Sequence, residues 1–189
     1  MNHGDSMRLQ HFVWSFPEAL DSETCNRIIE LGLSKKKRKA TVQNKQEQYR
    51  ESNVVWLYDQ WITELLIPYI YSANEKAGWN FQWEPVEEIQ FTEYNKGGYY
   101  DWHRDSFEQS DGDGKIRKIS VTINLNDNFK GGDMWFDNAL EYDKTDPKKI
   151  SKSTGGITVF PSHVWHKVDK VTKGTRYSLV FWFKGNEFV

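Results

Sequence analysis

The periodicity of the chain changes near residue 81, and that change limits the folds open to it. Downstream, short runs suited to extended chain replace helical spacing: 81–94, 99–105, 116–125, 133–136, 156–160, 164–171 and 175–183, separated by Gly, Asp and Asn turns. Many short strands with such turns fit a barrel or a double-sheet jelly roll. The upstream pattern is different. Residues 9–14 read as a first strand, and Asp21-Ser22-Glu23 then opens a helix with Asp21 as N-cap, ending near Gly32 and Ser34. From 59 to 77 the apolar positions Ile62, Leu65, Leu66, Tyr69, Ile70, Ala73 and Ala77 recur at helical steps, with a kink or break expected at Pro68. Residues 44–53 are polar and read as loop. The expected class is α+β, mainly β, with N-terminal helices bracing one face of a sheet.

Length and composition narrow the function classes. A chain of 189 residues suits one domain, with 1–80 as strand and supporting helices and 81–186 as the β core. Aromatic residues make up 15% of it, which favours an aromatic-lined interior or groove. The net charge of −2 argues against general nucleic-acid binding. Lys35-Lys36-Lys37-Arg38-Lys39 is a basic run, read as a solvated cluster at a helix end rather than a nucleic-acid patch. One cysteine, Cys25, excludes an internal disulfide framework and a thiolate zinc cluster. The polar first ten residues lack a signal-peptide core and no segment suits a membrane span, so the expectation is a soluble cytoplasmic protein.

The chemistry gathers in two stretches. His103-Arg104-Asp105 places an imidazole and a carboxylate two positions apart, on one face of an extended chain. Together they make two thirds of a 2-His-1-carboxylate site, which favours non-haem Fe(II). Of the remaining histidines, His3 and His11 lie in the N-terminal segment, while His163 and His166 sit in strand context. An odd separation puts those two on opposite strand faces, so at most one joins the metal. Lys173-Gly174 reads as a hairpin turn that brings Arg176 and Ser178 back antiparallel to the His166 strand. An inward Arg is costly unless an anion meets it, and a carboxylate matches its planar fork. Two loops remain. Residues 106–115 carry Asp111-Gly-Asp-Gly114, but Thr122 stands where a calcium loop needs its closing Glu. Residues 137–153 read equally as a substrate-facing lid or a solvated loop.

His103-x-Asp105, His166 and Arg176-x-Ser178, in that order, resemble the signature of the Fe(II)- and 2-oxoglutarate-dependent oxygenases, and within them the prolyl 4-hydroxylase-like branch. Tyr94 and Gly97 ahead of His103, the Gly131-Gly132-Asp133-Met134-Trp135-Phe136 stretch, and the run from Phe160-Pro161 to Arg176 carry the same likeness. The resemblance implies a double-stranded β-helix with Fe(II) held by His103, Asp105 and His166. It implies Arg176 on the distal carboxylate of 2-oxoglutarate, with Tyr94 and Ser178 helping. Asn124 falls where the branch often has a Tyr that reaches the cosubstrate; its amide can still donate a hydrogen bond. Tyr100, Trp135 and Trp182 are candidate walls of the substrate pocket.

The implied reaction hydroxylates an aliphatic C–H with O2 while 2-oxoglutarate becomes succinate and CO2, with ascorbate as a possible reductant. The implied substrate is a prolyl residue of a peptide or protein; a free amino acid or other small molecule is the alternative. Asp105 argues against halogenation, since halogenases of this fold lack the carboxylate. Trp182, six positions after Arg176, argues against the nucleic-acid demethylases, which carry a second Arg there. A jelly roll that only binds metal is the competing class, and Arg176 argues against it, because a pure binder needs no cosubstrate anchor.

Overall fold

The computed structural model describes residues 11–40, 49–85, 89–106, 110–137 and 147–187. The chain opens with β1 (Trp14–Phe16), α1 (Ser22–Ser34), β2 (Arg38–Lys39), β3 (Arg50–Glu51), β4 (Asn53–Leu57) and α2 (Gln60–Lys76). β5 (Glu84–Pro85), β6 (Ile89–Tyr94), β7 (Tyr99–His103), β8 (Lys115–Asn124), β9 (Lys130–Gly131) and β10 (Met134–Phe136) follow. Last come β11 (Lys148–Lys149), β12 (Ile157–Pro161), β13 (His166–Val168), β14 (Val171–Lys173) and β15 (Arg176–Asn186).

The larger sheet runs β1-β12-β8-β15-β6-β4-β2, with β5 also paired to β15; the smaller runs β11-β10-β13-β7-β3, and β14 pairs with β9. All pairings are antiparallel, as a jelly roll requires. Strand parity organises the larger sheet. Phe91 of β6, Val121 and Ile123 of β8, Val159 of β12, and Leu179 and Phe181 of β15 point to one side. There they meet Cys25 and Ile28 of α1 and Ile62, Leu66 and Ile70 of α2. Their neighbours in sequence point inward, toward the smaller sheet.

Local signals explain the helices. Asp21 caps α1 by accepting the Thr24 N–H at 2.7 Å. The helix ends at Ser34 as expected, and Gly32 in its last turn packs where a Cβ would sit 2.5 Å from the Phe91 ring. Ile62, Leu66, Ile70 and Ala73 form the buried stripe of α2, which runs through Pro68 without the expected break. An interior proline costs a helix about 3 kcal/mol, and the packed residues on either side of it offset that cost.

Several other expectations are corrected. The first strand is β1, so Trp14 is its start rather than its end; positions 9 and 10 lie outside the described residues. The polar stretch expected as loop contains β3 and the start of β4, while 41–48 is not described. The long strand from 81 reduces to β5 and β6, and that from 164 to β13 with β14 beyond it. The Lys173-Gly174 turn is real, with Gly174 at φ 76°, but it does not return the chain beside β13. It sends β15 into the other sheet, between β6 and β8. The basic run is exposed at the C-terminal end of α1, as expected; its last two residues form β2, with Lys37 2.8 Å from Glu93 and Lys39 3.3 Å from Glu51. In the 137–153 loop, β11 pairs with β10; residues 138–146 are not described.

Candidate active site

The two sheets enclose a cavity of about 570 Å³, within the range typical of small-molecule sites. β7 and β13 run side by side on its smaller-sheet wall, with His103 directly opposite His166. β7 ends at His103, so Asp105 lies just past the strand and not in it. Its position comes from the loop after β12, where the Ser162 carbonyl accepts the N–H groups of Asp105 and Ser106, both at 2.9 Å. One ligand atom from each of His103, Asp105 and His166 lies within 4.8 Å of the others, and all three residues are buried. The Asp105 carboxylate stands 3.7 Å from His103 Nε2 and 3.6 Å from His166 Nε2.

The hydrogen bonding leaves that cluster open on its inner side. His103 Nδ1 lies 2.7 Å from the Asp101 carbonyl and His166 Nδ1 3.0 Å from the Val164 carbonyl. Each ring therefore donates from Nδ1 and turns Nε2 to the centre, the arrangement metal-ligating imidazoles use. Burial, then the neighbouring His166, pushes the His103 imidazole down to about 3, which keeps it in its neutral, ligating form. For Asp105, burial opposes ionisation, but His166, His103 and Arg117 outweigh it and hold the carboxyl below its usual range. Asp105 Oδ2 is buried without a hydrogen-bond partner. Two imidazoles that each turn Nε2 inward and one carboxylate with an unspent oxygen are a donor set that fits Fe(II).

The larger sheet supplies the opposite wall. Arg176, Ser178, Val180 and Trp182 alternate inward along β15, with Tyr94 of β6 directly beside Arg176. Arg176 Nη1 donates to Ser178 Oγ at 3.1 Å, its guanidinium carbon lies 5.3 Å from the Tyr94 ring centre, and its Nε has no partner. Burial lowers the Arg176 pKa, with Tyr94 and Asp133 acting against that. A guanidinium stays charged in proteins, so the cavity holds a buried cation whose hydrogen-bonding capacity is only partly used.

Tyr100 and Trp182 line the cavity. Tyr100 stacks on His103 with ring centres 3.5 Å apart, although an odd separation should place them on opposite faces. Opposite His166 and Val168 stand His103 and Tyr100, so a bulge in β7 accommodates one extra residue and turns both rings inward. Trp135 is corrected. It points away from the cavity and donates its indole N–H to Asp169 at 2.6 Å, while Met134 takes its place in the wall. Asn124 is corrected too: its amide donates to the carbonyls of Asn126 and Lys152, each at 2.6 Å, so the donor expected to reach the cosubstrate is spent. His163 stays out of the cluster. Arg117, on β8, is a cavity residue that strand parity does not reveal. Its guanidinium carbon lies 3.8 Å from the Trp182 ring centre and its Nη1 is 3.5 Å from the Asp105 carbonyl. A second bulge, between Ile119 opposite Phe183 and Arg117 opposite Lys184, turns it into the cavity.

Fold and site together define a jelly roll with a buried 2-His-1-carboxylate centre and a facing arginine. The family model described as the 2OG-Fe(II) oxygenase superfamily matches residues 89–184, and the chain belongs to that superfamily. Its chemistry uses Fe(II), 2-oxoglutarate and O2. A PKHD-type hydroxylase of Idiomarina loihiensis is 30% identical over 99 residues, covering 51% of this chain and 42% of the relative. Another, from Prochlorococcus marinus, is 31% identical over 101 residues, 52% of this chain and 42% of that protein. The match thus spans less than half the length of these relatives. Among solved structures, a Pseudomonas putida prolyl-4-hydroxylase has the same fold at TM-score 0.69 and 21% identity, covering 94% of each chain. A Trichoplax adhaerens prolyl hydroxylase, in complex with a hypoxia inducible factor peptide fragment, aligns at TM-score 0.71 and 17% identity over 91% of this chain and 83% of that one. No helix among the described residues is long and apolar enough to cross a membrane.

Proposed function

We propose that the protein is an Fe(II)- and 2-oxoglutarate-dependent hydroxylase of an aliphatic C–H bond, acting on a prolyl residue of a peptide or protein. The observation that carries this reading is one cavity holding both the His103/Asp105/His166 cluster and the under-used Arg176 guanidinium. In this reading the two Nε2 atoms and the Asp105 carboxylate hold the metal. Arg176 takes the distal carboxylate of 2-oxoglutarate, its fork oriented by Ser178 and backed by Tyr94. Fe(II), 2-oxoglutarate and O2 supply the oxidising power, releasing succinate and CO2 as one oxygen atom enters the C–H bond; ascorbate serves as reductant. Phe160, Val168 and Val180 keep the inner wall dry. Tyr100 over His103, and Trp182 under Arg117, leave a flat-walled space suited to a small apolar ring. The names of the similar hydroxylases, and the peptide held by one fold neighbour, support a peptidyl substrate. Residues 1–189 act as one unit in this reading, since β1 and β4 are hydrogen-bonded into the sheet that carries Arg176.

The test incubates protein, Fe(II), ascorbate and 2-oxoglutarate with proline-containing peptides. Succinate and a one-oxygen mass increase on peptide are expected. Arg176→Met should raise the 2-oxoglutarate Kd about 100-fold, the scale for losing one partner of a buried charge pair, with Fe(II) binding retained. Equal loss of iron in that variant would remove Arg176 from its assigned role. Succinate formation with no peptide oxidised would confine the reading to another substrate.

A further inference from the structure

A small recess of about 10 Å³ shares Thr122, Met134 and Arg176 with the main cavity and is lined also by Asn124, Lys152 and Thr158. That volume is at the lower limit for a single water, so little space separates Arg176 from the wall behind it. Its far wall is the chain after β11, and side chains tie that wall in place. Asn124 Nδ2 donates to the Lys152 carbonyl at 2.6 Å, while the Lys152 ammonium lies 2.9 Å from Asp133 and 3.2 Å from the Gly131 carbonyl. The backbone adds Ile150 N–H to the Met134 carbonyl at 3.2 Å and Gly155 N–H to the Asn124 carbonyl at 2.8 Å. Gly132 completes the packing; a Cβ there would lie 3.2 Å from Arg176 Cδ. Lys152 also neutralises Asp133, a carboxylate close enough to act on Arg176.

We propose that Asn124 and Lys152 fix the length of dicarboxylate this site accepts, by fastening residues 148–153 as the end wall of the cosubstrate recess. Both are positioning residues. Asn124 binds the wall rather than the cosubstrate, and Lys152 holds the wall while screening Asp133 from Arg176. The inference rests on the reading of Arg176 as the cosubstrate anchor.

The experiment measures binding of 2-oxoglutarate and of 2-oxoadipate, one methylene longer, to the Fe(II)-loaded full chain by anaerobic calorimetry. Wild type should prefer 2-oxoglutarate by about 10- to 200-fold, the range one methylene commands in a fitted pocket. Asn124→Ala and Lys152→Met should each cut that preference at least fivefold with Fe(II) affinity intact, and Lys152→Arg should restore it. A role in stability alone would lower the melting temperature and leave the ratio unchanged, which overturns the proposal. If Asn124→Ala does not fold, Lys152→Met decides, since that side chain is 32% exposed. Wild-type protein that binds neither dicarboxylate would overturn the cosubstrate reading itself. Binding by wild type with unchanged variant ratios overturns only the length-setting role.

Discussion

The two faces of the larger sheet are made by the same strands and do opposite work. Along β15, Leu179, Phe181 and Phe183 pack against the helical side, while Arg176, Ser178 and Trp182 face the cavity. The outer face is apolar and closes on itself. The inner face buries Arg176, whose Nε is left without a partner, and across the cavity Asp105 Oδ2 is likewise unpaired. Buried polar atoms are nearly always paired in folded proteins, so a cluster of exceptions marks where something other than the chain completes the bonding. One strand thus packs the core with its odd positions and lines the cavity with its even ones.

Substitutions on each face should separate these roles. The largest effect is expected from Asp105→Ala, which should lose Fe(II) binding and reduce succinate formation to the no-enzyme background. The metal-free variant should unfold in urea at or above the wild-type midpoint, because a buried carboxylate is removed from a site where its metal is missing. A large stability loss would show that the cavity lining also carries the fold. Phe181→Ala should do the reverse, costing about 3–5 kcal/mol in urea unfolding. Its folded fraction should bind 2-oxoglutarate within about twofold of wild type, as distant sites act independently. A shifted Kd would mean that the two faces are mechanically coupled through the strand.

Strand parity makes much of this division legible in the sequence. Arg176 and Ser178 share a face because alternate residues of a strand do, whereas Asp105 lies past β7 and joins His103 through the Ser162 carbonyl; the order of these motifs carries the family likeness. What the sequence hides either breaks parity or depends on distant pairing. Arg117 shares its odd number with core residues Ile119 and Val121, and only the bulge in β8 turns it to Trp182. Lys173-Gly174 carries true turn chemistry, but a turn signal does not say which strand lies beyond it. Here the partners of β15 are β6 and β8, far away in sequence. Trp135 and Met134 are indistinguishable as apolar neighbours, and it is the pairing of β10 with β13 that sets which faces inward. Arg50 reaches the cavity wall from a strand hidden in a polar stretch, where it stacks over Tyr100 at 4.6 Å.

Cys25 offers the smallest effect and a direct probe of how dry the outer face is. It lies on α1 in the apolar layer, where burial and then Asp21 push its thiol up to about 11. An unfolded chain loses that proton near pH 8.5, so between there and 11 the folded state binds more protons than the unfolded state. The thiol's contribution to stability is therefore complete below that window and declines as pH rises through it. Between pH 8 and 10 wild type should lose more stability in urea than Cys25→Ala, the difference cancelling the other groups that titrate there. The folded thiol should also resist iodoacetamide at pH 8, since the thiolate is the nucleophile. Equal pH slopes in the two proteins, or rapid alkylation, would mean that water reaches the helix–sheet layer. The contrast between a closed outer face and a ligand-seeking inner one would then rest on the unpaired polar atoms alone.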